Sequence, residues 1–231
     1  MGIKENLKIV QEQIAEYSEK AGVNPGSVEL VAVSKTIEAP KIQQAYDAGQ
    51  RMFGENKVQE FVEKSEKFEK DVKWNLIGRL QTNKVKYIMN HNVFLVHSLD
   101  RIGLAEELQK QGEKTNNMTD ALIQLNIAEE ETKSGLLTGE VDGFLEKVTQ
   151  MDKIRLKGIM TIGPNTDDEM AIRRVFAKTK QIYDRLCAQM PSFEYLSMGM
   201  SHDFGLAILE GSNMVRVGTA IFGQRDYTNI P

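Results

Sequence analysis

Glu29-Leu-Val-Ala-Val-Ser-Lys-Thr-Ile-Glu-Ala-Pro40 is the stretch that decides the fold. Four consecutive apolar residues, two of them β-branched, lie between Pro25-Gly26 and Pro40. A parallel strand buried on both faces reads this way. Lys35 stands at its carboxyl end, and Pro40 marks the start of a helix. Upstream, Ile3, Leu7, Val10, Ile14 and Tyr17 recur every three or four residues, which predicts an amphipathic helix closed by Gly22 and Pro25-Gly26. Downstream, strand and helix alternate. Strands near Arg51–Gly54, Trp74–Gly78 and Val93–His97 precede helices from about Lys57, from about Thr82 and over Arg101–Lys110. Ala121–Ile127 leads to a helix around Val141–Gln150, and Leu156–Thr161 leads to Thr166-Asp-Asp-Glu169, which reads as a capping box. The helix it opens carries Ile172, Val175, Phe176, Thr179, Ile182, Tyr183 and Leu186 along one face. Tyr195–Met198, a helix near Phe204–Glu210 and Met214–Val217 complete eight strand candidates.

Repeated strand-then-helix order means a parallel sheet with right-handed crossovers. Eight such units in 231 residues fit an α/β, single-domain (β/α)8 TIM barrel with an extra N-terminal helix, for which about 250 residues is typical. No Pro/Gly/Ser-rich linker divides the chain, so residues 1–231 are expected to form one domain.

The composition, 41% apolar and 27% charged, excludes disordered, collagen-like and coiled-coil classes. Twenty-nine Lys+Arg against 33 Asp+Glu leave a net charge of −4, so no global positive field is available for nucleic acid or anionic lipid. Cys187 is the single cysteine, which excludes an internal disulfide; His91, His97 and His202 lack metal-ligand spacing, so no metal is expected. The first residues form no apolar leader, and no apolar run approaches the roughly 20 residues of a membrane span, which predicts a cytoplasmic protein away from membranes.

In such a barrel the functional residues lie at the carboxyl ends of the strands. Lys35 is the first candidate: over an apolar barrel floor its amine is partly desolvated, favouring the neutral form that condenses with an aldehyde, the alternative being a solvated lysine at a strand end. Gly218-Thr219, after the last strand, offers close backbone approach and successive amides for an anion, with the Ser201 hydroxyl arriving from the seventh strand. An ordinary glycine turn is the alternative. Barrels of this kind frequently bind phosphate after strands seven and eight. By period-2 alternation Arg216 shares a face with Gly218, and its partner is either a carboxylate or a ligand's ring nitrogen, whose protonation it would oppose. Together these residues describe a site for a phosphorylated aldehyde carrying a ring nitrogen, pyridoxal 5′-phosphate.

Longer motifs carry a resemblance. They are Ala32-Val-Ser-Lys35, Phe53-Gly-Glu-Asn-Lys-Val-Gln-Glu60, Ile77-Gly-Arg-Leu-Gln-Thr-Asn-Lys84, His97-Ser-Leu-Asp100, Lys133-Ser-Gly135, Leu196-Ser-Met-Gly-Met-Ser201 and Val215-Arg-Val-Gly-Thr-Ala-Ile-Phe-Gly223. In register from about residue 29 to 225, the sequence resembles the pyridoxal phosphate homeostasis family, whose barrel is similar to the N-terminal domain of bacterial alanine racemase. The resemblance implies pyridoxal 5′-phosphate in aldimine linkage to Lys35, Ser201, Gly218 and Thr219 at its phosphate, Arg216 at the pyridine nitrogen, and Asn56 facing the same mouth. There are two departures from the family pattern: Asn75-Leu76 stand for the usual His-Phe, and His202 for an acidic or small polar residue.

The resemblance further implies a role in vitamin B6 homeostasis, as a carrier or buffer that supplies pyridoxal-phosphate-dependent apo-enzymes, and a monomer. A racemase needs a second base, which the related racemases take from another domain, so no catalytic residue is assigned and a weak amino-acid racemase is the alternative. A Schiff-base aldolase and a regulatory binding module are further readings. Lys133 is a candidate acceptor for release of the aldehyde, or a solvated loop residue.

Overall fold

The computed structural model describes residues 2–130 and 132–224. Eight parallel strands follow one another in chain order around a closed barrel: β1 (Glu29–Val33), β2 (Met52–Glu55), β3 (Lys73–Leu76), β4 (Val93–Leu99), β5 (Thr119–Leu125), β6 (Ile154–Thr161), β7 (Tyr195–Ser197) and β8 (Met214–Val217). Closure is made by β1 pairing with β8, Val31 opposite Arg216 and Ala32 opposite Val217. The expected (β/α)8 architecture is therefore present, each strand within about two residues of its expected bounds.

The helices are α1 (Ile3–Lys20), α2 (Ala39–Asp47), α3 (Val58–Ser65), α4 (Val85–Ile88), α5 (Ile102–Thr115), α6 (Val141–Val148), α7 (Glu169–Cys187), α8 (Phe204–Leu209) and α9 (Thr219–Phe222). None is long and apolar enough to cross a membrane. Alternation along the strands divides the core in two. Val31, Met52, Leu95, Leu122, Met160 and Met214 point into the barrel, while residues such as Phe53, Trp74, Val96 and Leu196 face the helices. The helix after β8, α9, is a single turn, and α1 packs against α8, α9 and α2. The extra N-terminal helix thus fills the gap that a short eighth helix leaves in the outer ring. Ile3, Leu7, Val10 and Ile14 are its buried stripe, and Asn6 Nδ2 donates to the Ile221 carbonyl at 3.0 Å. The approach is close: a methyl group on Gly205 of α8 would lie 2.4 Å from the Tyr17 ring.

Two local expectations need correction. The helix expected from Thr82 opens as a 3-10 turn over Thr82–Lys84 before becoming α4. The expected capping box before α7 does not form. Asp168, extended immediately ahead of the first turn, accepts the N–H groups of Met170 and Ala171 at 2.9 and 3.2 Å. Thr166 Oγ1 accepts only the Asp168 N–H, so Glu169 is the first helical residue rather than the third.

Candidate functional site at the carboxyl ends of the strands

The candidates occupy four neighbouring strand ends. Ser201 follows β7, Arg216 and Gly218 come from β8, Lys35 follows β1, and Asn56 follows β2. Continuing the inward row of Val31 places Lys35 over the mouth, where it is half-buried. Gly218 lies against the end of β1: an added methyl would stand 3.3 Å from Val33. Its N–H donates to Ser201 Oγ at 3.2 Å, so the hydroxyl here accepts and the two residues are brought together. Thr219, first in α9, is exposed, and so is Asn56, which packs on Gly78 so closely that a methyl there would sit 2.7 Å from its side-chain oxygen.

Arg216 is buried in the barrel, and its hydrogen-bond partners within the chain are a hydroxyl and a backbone carbonyl rather than a carboxylate. Nη1 donates to Ser197 Oγ at 2.6 Å and Nη2 to the Thr161 carbonyl at 2.9 Å. Burial pushes its pKa down to about 10, against the opposing pull of the Asp203 carboxylate, so it remains a cation near neutrality.

Behind the arginine runs a row of buried side chains that sequence reasoning did not connect. Asn75 Nδ2 donates to the carbonyls of Phe53 and Lys73 at 3.2 and 3.0 Å, leaving its oxygen 3.0 Å from His97 Nε2. An amide oxygen only accepts, so Nε2 carries the imidazole hydrogen. Nδ1 must then accept the Ser197 hydroxyl at 3.3 Å, and Ser197 accepts from Arg216. Every bond therefore points one way, from Arg216 through Ser197 and His97 to Asn75 and the backbone. Burial first, and the arginine charge second, hold His97 well below its usual pKa, so the ring is neutral. The departure at Asn75 is thus linked to Arg216. Period-2 alternation on β3, β4 and β7 was the available signal for Asn75, His97 and Ser197, all on inward positions.

Lys133 is neither solvated nor disengaged. It donates to Glu130 Oε1 at 2.7 Å and to the Gly163 carbonyl at 2.8 Å, tethering its loop to the loop after β6. His202 is exposed, 3.7 Å from the buried Asp203 carboxylate.

These observations define a class: a (β/α)8 barrel whose mouth combines a lysine, a buried arginine and a hydroxyl-amide pair on adjacent strands. Known proteins of that class match the chain. The profile of the family described as alanine racemase, N-terminal domain, matches residues 5–226. The pyridoxal phosphate homeostasis protein of Aquifex aeolicus is 41% identical over 229 residues, covering 98% of this chain and 100% of that protein. A structure described as an unknown protein from Bifidobacterium adolescentis superposes with a TM-score of 0.90 at 36% identity, covering 95% of this chain and 94% of its own. PipY of Synechococcus elongatus, solved with pyridoxal phosphate bound, superposes with a TM-score of 0.83 at 33% identity, covering 96% and 100%. The chain belongs to the pyridoxal phosphate homeostasis proteins of the alanine racemase N-terminal domain family.

Proposed function

We propose that this chain binds pyridoxal 5′-phosphate and acts in its homeostasis, as a monomeric cytoplasmic carrier or buffer that supplies pyridoxal-phosphate-dependent apo-enzymes. The observation that carries the reading is the convergence of Ser201, Arg216, Gly218, Lys35 and Asn56 on four adjacent strand ends. Their chemistry fits the cofactor. Gly218 N–H and Ser201 Oγ, already paired, together with the Thr219 hydroxyl, suit a phosphate; a methyl on Gly218 would crowd Val33 and close that approach. Arg216 suits the unprotonated pyridine nitrogen, because a fixed cation disfavours a second positive charge beside it. Lys35 supplies the amine. When bound, the cofactor contributes an aldehyde that condenses reversibly with that amine.

The same residues support holding over turnover. An unprotonated ring nitrogen weakens the electron sink that most chemistry of this cofactor exploits. Among the described residues, Tyr17, Tyr46, Tyr87 and Tyr183 lie on helices and Tyr195 at the amino-terminal end of β7, so none is placed as a second base at the mouth. The neutral His97 is committed at both nitrogens. Relatives at this similarity are named as homeostasis proteins.

Borohydride reduction after incubation with pyridoxal 5′-phosphate, followed by peptide mass mapping, is the test, with an amino-acid racemisation assay on unreduced protein. The expected outcome is a pyridoxyl adduct on Lys35, lost in Lys35→Ala, with no racemisation. Turnover of either alanine enantiomer would replace the carrier reading with a racemase, and no adduct would overturn both.

A further inference from the structure

The Gly54–Glu60 motif includes buried charges that the proposed site does not use. Glu55, the last residue of β2, is fully buried on the helix-facing side of the wall. Its Oε1 accepts the Ser34 hydroxyl at 2.6 Å and Lys64 Nζ at 2.9 Å. Lys64, in α3, also donates to the Ser34 carbonyl at 2.9 Å and to Glu60 Oε2 at 3.3 Å. Glu60 Oε2 in turn accepts the Thr36 N–H at 2.7 Å. Thr36 has φ of 63°, a left-handed conformation that a β-branched residue adopts only when its surroundings impose it. The residue enclosed by these bonds is Lys35. Its peptide neighbours are fixed on both sides, by Glu55 and Lys64 at Ser34 and by Glu60 at Thr36, while Lys35 itself belongs to the inward row.

Stability alone gives a poor account of this cluster. Desolvating a carboxylate and an ammonium costs about as much as their attraction returns, and well-packed apolar replacements are often neutral or better. Glu55 shows the cost: burial pushes its carboxyl up to about 7, against Lys64 and the Ser34 hydroxyl, and its Oε2 makes no hydrogen bond. What the cluster does secure is the backbone on either side of Lys35.

We propose that Glu55 is a positioning residue which, through Lys64 and Ser34, holds the Lys35 backbone so that the amine meets the cofactor's aldehyde. This rests on the reading of Lys35 as the condensing residue. In the step concerned, the Lys35 nitrogen bonds to the aldehyde carbon, and the aldehyde oxygen leaves as water with both amine hydrogens; no electrons are transferred. A misplaced backbone slows that step in both directions, yet leaves the proposed phosphate contacts of Ser201 and Gly218, which follow β7 and β8, as they were.

The test uses the full chain and the double variant Glu55→Gln/Lys64→Met, which removes both charges together and keeps an acceptor for Ser34. Removing one partner alone would strand a buried charge. Two probes separate the steps: pyridoxine 5′-phosphate, which has no aldehyde, reports non-covalent binding, and pyridoxal 5′-phosphate reports condensation through its absorbance change. The expected result is a condensation rate at least tenfold slower, pyridoxine 5′-phosphate affinity within about twofold, and a melting temperature within about 3 °C of the parent, the shift of roughly 1 kcal/mol in a chain of this size. Glu55 is faced by Lys64 and Glu60 from α3 and by Ser34 from β1. Its titration should therefore place an inflection near pH 7 in the parent's condensation rate that the double variant lacks. An unchanged rate overturns the proposal, as does an equal loss in both probes, which marks a merely structural role. A parent chain that forms no adduct on Lys35 overturns this proposal together with the cofactor reading; a parent adduct matched by the variant overturns this proposal alone.

Discussion

Asn75 spends both amide hydrogens on backbone carbonyls, and His97 depends on the oxygen that remains. Asn75→Leu removes that acceptor inside the barrel, leaving the buried His97 Nε2–H unpaired, while the Phe53 and Lys73 carbonyls lose only the second donor that Asn75 gave them. The expected cost is about 1–3 kcal/mol for such a loss, read from the midpoint of urea unfolding at constant slope. Pyridoxal 5′-phosphate affinity should fall as well, since Ser197 loses the fixed orientation through which it accepts from Arg216. Unchanged affinity would separate Asn75 from the site. At this scale the sequence was legible where chemistry sits at strand ends: Lys35, Ser201, Arg216 and Gly218 converge as expected. The Ser197–His97 contact joins residues 100 positions apart, and closure of the barrel, rather than any local pattern, makes them neighbours.

Among the elements, α7 tests how far local reading reaches. Thr166 and Asp168 are both good capping residues within three positions of each other, and the pattern of Thr followed by Glu169 favours the first. The geometry chooses the second, because Asp168 is the residue held extended against the first turn. Asp168→Ala should therefore cost about 1 kcal/mol, lowering the melting temperature by roughly 2–4 °C, and Thr166→Ala distinctly less. Equal losses in thermal melts would restore the capping box. The N-terminal helix shows the complementary limit. Its apolar stripe was evident from spacing, whereas its place beside α8 and α9 follows from the brevity of α9, a property of the opposite end of the chain.

For the whole molecule, the buried groups His97 and Glu55, both strongly shifted and both titrating in the neutral to acidic range, pull stability in opposite directions with pH. His97 is held neutral, so below its ordinary value of 6.5 the unfolded chain binds a proton that the folded chain refuses, and stability falls as pH drops. Glu55 is raised from 4.5 to about 7, so between those values the folded chain binds the extra proton, and stability rises as pH drops. Each effect is worth up to about 1.4 kcal/mol per pH unit, and below 6.5 they oppose one another. The two contributions become visible when one is removed. Glu55→Gln/Lys64→Met keeps the His97 contribution but lacks that of Glu55, so its melting temperature relative to the parent should decline steadily from about pH 7 to 4.5. Below 4.5 Glu55 no longer differs between folded and unfolded chains, so its share of the difference between the two proteins should become constant, and what changes there comes from Glu60, which loses Lys64 in the variant. Parallel curves from pH 8 to 4.5 would mean that Glu55 titrates in the folded barrel where it does in the unfolded chain. The buried carboxylate beside Lys35 would then carry its charge throughout, and the inflection near pH 7 expected in condensation would have no source.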